Sequence, residues 1–247
     1  MKKYGILAIV LLGFCGVQAQ QNLFNIPSGD INPKNKLFCQ QQLNIYAATQ
    51  LESKTHLVYG LGRGWDTGVN LVDLPVNLGG GPVFSHNDNS LFKPLYPVIM
   101  GTLQKQWVVS EHTEINVGTQ VGTNITDDSK NMKFLYFNYG IIRWAPSQPL
   151  HLVGGFYHTN DYYAGGTSGQ PVGFMLGYEY KLSRKLLLMG DFISGNHKKS
   201  STVLGGGYTF GNRVQLFVGA LLAFPNKELQ DGVVLELNWF GWNFMEP

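Results

Sequence analysis

The sequence predicts an all-β protein: a closed, antiparallel, up-and-down transmembrane β-barrel of about 12 strands. Three observations carry that expectation. The chain opens with an export leader, it is poor in charge, and it repeats short alternating segments separated by turns of two length classes.

The 247 residues are 14% charged, well below the roughly 25% of ordinary soluble domains. Glycine reaches 31 residues and aromatics 13%, while mean hydropathy is a near-neutral −0.06. So much Phe, Tyr, Leu and Val excludes intrinsic disorder. Helical bundles and coiled coils need Ala, Glu, Lys and Leu at helical spacing, which this chain lacks.

Met1-Lys2-Lys3 is a short basic start, followed by the apolar run 5–17 and by Val17-Gln18-Ala19, small residues at the −3 and −1 positions of a signal-peptidase site. The run is too short for a membrane anchor, which needs about 20 apolar residues. Cys15 suggests a lipoprotein, but bulky Phe14 stands where a small residue is wanted. The expected organisation is therefore a signal peptide over 1–19, an N-terminal periplasmic segment over 20–36 and a barrel over 37–247, placed in the cell outer membrane. Without Lys2 and Lys3 the 18 basic residues fall to 16, equal to the 16 acidic ones. A balanced chain has no electrostatic reason to bind nucleic acid. Cys39 alone remains, so neither an internal disulfide nor a cysteine metal cluster forms.

Alternating segments are predicted at 37–47, 55–61, 67–74, 95–106, 113–125, 133–143, 150–159, 172–182, 185–194, 200–210, 213–224 and 232–240. The clearest reads Thr113, Ile115, Val117, Thr119, Val121, Thr123, Ile125 on one parity and Glu114, Asn116, Gly118, Gln120, Gly122, Asn124 on the other. Successive strand side chains point to opposite faces, so one face is wet and the other apolar. Connections after the even-numbered segments are short, as at Ser183-Arg184 and Gly211-Asn212, and those after the odd ones are mostly long, up to the 20 residues of 75–94. An even strand count with short turns at one rim and loops at the other is the pattern of outer-membrane barrels. All five tryptophans, at 65, 107, 144, 239 and 242, fall at the short-turn rim, where an indole sits half in lipid and half in water. Closure leaves no sheet edge and pairs every backbone group facing lipid.

Asn25-Ile26-Pro27-Ser28-Gly29-Asp30, Asn35-Lys36-Leu37-Phe38 and Val58-Tyr59-Gly60-Leu61-Gly62-Arg63-Gly64 resemble the N-terminal half of small Gram-negative outer-membrane barrels of the porin and transporter type. Gly190-Asp191-Phe192-Ile193-Ser194-Gly195-Asn196-His197 resembles a hairpin of barrels grouped with the meta-pathway phenol-degradation porins. The resemblance implies passive passage or uptake of small molecules, with no catalytic residues to carry over and no cofactor. One departure is the tail Met245-Glu246-Pro247, where such barrels end on an aromatic residue.

The polar parity gathers Glu114, Glu179, Lys181, Asp191, Arg213 and Glu236, with His56, Gln104, Gln215 and Asn238, all expected to face the lumen. Facing lipid, Arg or Lys at mid-depth would cost about 2–4 kcal/mol. Two readings stand side by side: a lining that selects the solute, or a salt-bridged plug that only holds the wall together. Gly60, Gly62 and Gly64 mimic a nucleotide loop, but no helix follows to bind phosphate, so a hairpin turn is expected. Gly205-Gly206-Gly207 marks a bend or close packing in the wall. The six histidines show no metal-ligand spacing. Asn196-His197-Lys198-Lys199 reads as a solvated basic loop, with lipopolysaccharide phosphate as the sharper alternative partner. His158 with Ser168 or Ser194 raises a lipid-hydrolase alternative, but nothing fixes a nucleophile beside the histidine. Loop 75–94 is either a constriction in the lumen or an external flap. The expectation is a monomeric barrel, not an enzyme, passing a small solute through a charge-lined lumen and touching outer-membrane lipid and lipopolysaccharide. A structural or adhesive barrel with a closed lumen is the alternative.

Overall fold

The computed structural model describes residues 22–47, 50–80, 82–166, 172–224 and 230–244. The signal-peptide expectation, Ser168 and the tail Met245–Pro247 lie outside the described residues. Twelve strands close into one barrel in sequence order, each antiparallel to the next. They are β1 (Leu37–Ala47), β2 (Gln50–Gly62), β3 (Trp65–Asn77), β4 (Val98–Ser110), β5 (Thr113–Asn124), β6 (Phe134–Ser147), β7 (Leu150–Thr159), β8 (Val172–Lys181), β9 (Leu186–Ile193), β10 (Ser201–Phe210), β11 (Val214–Ala223) and β12 (Gly232–Phe240). The first and last strands seal the cylinder through a ladder from Phe38 opposite Phe240 to Ile45 opposite Val233.

The predicted alternation sets the two faces. Ile115, Val117 and Val121 of β5 are exposed on the outside while Asn116 and Asn124 are buried inside. Leu216, Val218 and Leu222 of β11 point out, and Gln215, Phe217 and Leu221 point in. Tight connections at 63–64, 111–112, 148–149, 182–185 and 211–213 share the rim with the two ends of the barrel, and the long ones, 78–97 and 160–171 among them, lie at the opposite rim. Arg63 and Gly64 both take positive φ, 54° and 75°, the two-residue turn whose twist matches a hairpin.

Four tryptophans, Trp65, Trp107, Trp144 and Trp239, are 39–49% exposed on the outer wall at the short-turn rim. Trp242 shares the rim but not the orientation. It is buried with Phe38, Val58, Phe240 and Phe244, so residues 241–244 fold back into the barrel mouth. Phe244 N donates to Asn212 O at 3.0 Å, and the Phe240 and Phe244 rings stand 4.2 Å apart.

Two strand starts and one bulge stand out among the differences from expectation. β2 begins at Gln50 because Glu52 and Lys54 keep the inward parity where no apolar residue marks it. β4 begins at Val98, since Leu95 N and Tyr96 N bond to the carbonyls of Tyr162 and Asn87 at the rim instead of to a neighbouring strand. β3 carries a bulge: Ser53 faces Leu74 and Thr55 faces Leu71, leaving Val72 and Asp73 together opposite one residue. Both turn inward and are buried, with Asp73 at φ 57°.

Candidate functional site: a plugged lumen and its outer chamber

Part of the expected N-terminal periplasmic segment, residues 22–32, lies within the described residues. Residues 22–32 enter the lumen, and Leu23, Phe24 and Ile26 join the inward core of β6–β12. Burying each such side chain contributes about 1.5–3 kcal/mol. Of the three glycines expected to mark close packing, Gly205 helps form the socket, together with Gly177 and Gly219. A Cβ at Gly205 or Gly219 would stand 2.8 or 2.9 Å from the Phe24 ring, and one at Gly177 only 2.3 Å from Leu23.

Polar anchors fix the segment. Asp191 Oδ2 accepts from the backbone N–H groups of Phe24, Asn25 and Ile26, at 3.0 Å for Phe24 and 3.2 Å for Ile26. Three successive N–H groups converging on one carboxylate satisfy donors that would otherwise be orphaned in the barrel interior. Gln106 Nε2 donates to Gly29 O at 2.8 Å and Gln104 Nε2 to Asp30 O at 3.2 Å. Arg143 Nη2 lies 3.5 Å from Asp30 and its Nη1 2.8 Å from Glu114.

The expected lumen residues divide into three groups. Glu114, Glu179 and Lys181 come together near the short-turn rim, joined by Asp30, Arg143 and His151, whose Nδ1 is 3.5 Å from Glu179. Asp191 and Glu236 lie higher in the interior, both buried. Asn238 Nδ2 donates to Glu236 at 2.8 Å. Arg213 is not in the lumen. β11 starts at Val214, so Arg213 sits exposed in the preceding turn and donates from Nε to Asn243 at 2.7 Å. His56, Gln104, Gln215 and Asn238 are buried on the inward face.

Above the plug a cavity of about 360 Å³ opens towards the long-loop rim. Its floor is Phe24, Asn25 and Pro27, its wall includes Tyr46, Glu52, Lys54 and Phe137, and its roof is Pro94, Tyr96, Tyr163 and Lys199. Lys54 Nζ is 3.5 Å from Glu52 and donates to Asn25 Oδ1 at 3.2 Å. The bulge aims Asp73 at this chamber, where it pairs with Lys199. Burial opposes the Lys199 charge, but the Asp73 carboxylate outweighs it and holds the ammonium above its ordinary pKa.

The roof is built from loops. In 78–97 the returning end folds inward, with Leu95 fully buried and Lys93 Nζ 3.3 Å from Asp161 of the short helix α1 (Asp161–Ala164). The outer end, including Leu91 and Phe92, is exposed. The loop is thus a flap at one end and a lid element at the other. Asp88 accepts from Thr126 Oγ1 at 2.6 Å and Asn131 Nδ2 at 3.1 Å, bonds that hold its carboxyl below the usual range. The basic run 196–199 is not a solvated loop. His197 is buried, its Nε2 2.6 Å from Tyr157 Oη and its Nδ1 3.2 Å from Ser200 Oγ.

His158 faces outward beside Tyr136, whose Oη is 3.3 Å from its Nε2, and Ser194 Oγ accepts from Phe174 N at 2.7 Å. That arrangement supplies His158 with a phenol and engages Ser194 elsewhere.

A closed barrel with tight turns at one rim, long loops at the other and aromatic residues on its outer wall defines a protein of the outer-membrane porin and transporter fold. Solved structures agree. The KdgM porin superposes with a TM-score of 0.53 at 6% identity, covering 83% of this chain and 98% of that one. The same porin in complex with disordered oligogalacturonate gives 0.52 at 7%, with the same coverages. The Pseudomonas putida toluene transporter TodX gives 0.52 at 6%, covering 91% of this chain and 99% of that one. At such identities the likeness is one of fold. No protein-family model and no curated protein matches the chain.

Proposed function

We propose that this chain is an outer-membrane barrel that takes up a small solute from the external side, with the chamber above the plug as the first binding station. The observation that carries the reading is the chamber itself: about 360 Å³, lined by paired charges and by Tyr46, Tyr96, Phe137 and Tyr163. That is within the size range of small-molecule sites, and its mixture of ring faces and a few polar groups is their usual chemistry. Most of its charge is matched locally, Lys54 with Glu52 and Lys199 with Asp73, with Lys198 beside them, which favours a modestly polar solute over a strongly charged one. The porin and toluene-transporter folds that it resembles support passage over catalysis. The partly buried cluster Glu114, Glu179, Lys181, Arg143 lies on the way out to the periplasm, and there the lining and the plug readings meet: it braces the plug and would line the path once the plug moves.

Liposome swelling with neutral solutes of graded size tests this. Wild type is expected to pass the smallest solutes slowly, and Asp191→Ala, which frees the plug, to pass them faster. If wild type, Asp191→Ala and a chain lacking residues 22–32 all match protein-free liposomes while remaining folded, the closed structural or adhesive barrel is the correct reading. The plug itself is the observation that favours that second reading.

A further inference from the structure

We propose a binding site for an anionic glycerophospholipid on the outer wall of the barrel, independent of the lumen. A groove of about 560 Å³ crosses the wall from Trp65 on β3 to Val172 on β8. It crosses five inter-strand steps of about 4.8 Å, roughly 24 Å across the tilted strands of the wall. Its sides are Leu103, Trp107, Val117 and Phe156, all exposed outward. Its floor is the backbone at Gly140, where an added Cβ would meet nothing within 4 Å. The depression exists because that one outward position of β6 carries no side chain.

The groove has a charged end. Lys105 Nζ stands 5.3 Å from the Trp65 ring centroid and 5.6 Å from that of Trp107, and donates to the carbonyl of Arg63 in the adjacent turn. These groups sit at the short-turn rim, level with the headgroups of the periplasmic leaflet. The Lys105 ammonium complements a phosphate, and indole N–H groups suit the glycerol ester level. A chain leaving that headgroup lies in the apolar groove. At the far end the polar groups satisfy one another: Thr119 Oγ1 donates to Asn138 at 2.6 Å and Tyr136 Oη is 3.3 Å from His158. The occupant is therefore one lipid, its phosphate at Lys105 and an acyl chain over Gly140.

The test is tryptophan quenching in phosphatidylcholine vesicles doped with brominated phosphatidylglycerol or brominated phosphatidylcholine. The full chain carries Trp144→Phe and Trp239→Phe, so that Trp65 and Trp107 report from the wall while Trp242 stays buried in the barrel mouth, away from lipid. Phosphatidylglycerol is expected to be preferred about fivefold, the value of one lysine at a membrane surface. K105Q should reduce the preference to near one. Gly140→Leu should do the same by filling the groove, and the open space there allows the barrel to fold. Lys185→Gln, at the same rim but off the groove, should leave the preference intact. Equal quenching by the two lipids in the otherwise wild-type chain overturns the proposal, as does a preference that survives K105Q or Gly140→Leu. Loss of the preference in Lys185→Gln overturns it too, by assigning the effect to general surface charge.

Discussion

At Asp191 a single oxygen gathers three backbone N–H groups of the plug, so the residue acts as a latch. Each buried donor left without a partner costs about 1–3 kcal/mol. Asp191→Ala should therefore raise hydrogen exchange at the amides of 24–26 by orders of magnitude while exchange in the β1–β12 ladder stays slow. Asp73 is the second residue whose role exceeds its sequence signal. Its odd parity points outward in a regular strand, and only the bulge brings it to Lys199. Breaking a buried ion pair from one side costs about 3–5 kcal/mol, so Asp73→Ala should lower the urea midpoint, whereas Asp73→Asn, which tolerates positive φ, should lower it less. Asp88 carries a pH dependence. Its carboxyl is depressed by the Thr126 hydroxyl first and Asn131 next, so its tie between two external loops is complete above the ordinary carboxylate range. The tie is lost as pH falls through the depressed folded value. Hydrogen exchange in 125–133 should rise on that acidification, and Asp88→Asn should abolish the pH response.

At the scale of elements, strands were legible and their exceptions were not. The parity of β5, β8 and β11 is written in alternating Val, Ile, Leu and Thr against Gly, Gln and Glu, and lipid outside against packed lumen inside keeps that alternation regular. The bulge at Val72–Asp73 breaks the period without a glycine or proline at that point, so no local residue announces it. The plug was hidden for a different reason. Leu23, Phe24 and Ile26 are too few to show a period, and their partners Gly177, Gly205 and Gly219 lie far along the chain. Arg143 shares the inward parity of Tyr139 and Ile141 and was readable in principle; Asp30, its partner, was not, because its place depends on the plug. Gly177→Val tests the socket. A side chain there collides with Leu23 and Ile26 and should expel the segment with little effect on the barrel, seen as lost protection of the 22–32 amides. The inward tail makes a separate claim. Trp242→Ala removes a buried ring from the mouth cluster and should destabilise the barrel by about 3–5 kcal/mol.

For the molecule as a whole, the distribution of apolar surface decides between a membrane barrel and an exported sandwich. The outward parity of nearly every strand carries exposed Leu, Val, Ile, Phe or Trp, a surface that no soluble monomer of this size presents. The interior is divided: an apolar core lines the β6–β12 side, and Gln, Asn, Asp and Glu bonded to each other and to the plug fill much of the rest. Such a molecule carries an apolar outer wall around an interior far richer in polar groups than that of a soluble domain. The sequence established that inversion from composition and alternation. It left open whether the lumen is a path; the structure adds an N-terminal segment packed inside the lumen beneath a chamber at the long-loop rim, the arrangement on which the proposed stoppered barrel rests.

The most direct test of a stoppered barrel is single-channel conductance in planar bilayers, comparing wild type with a chain lacking residues 22–32, each checked for folding by migration on a gel with and without heating. Wild type should show no long-lived open level, and the shortened chain should show stable, uniform conductance steps. A wild type that conducts as steadily as the shortened chain, or a folded shortened chain that stays silent, would contradict the account.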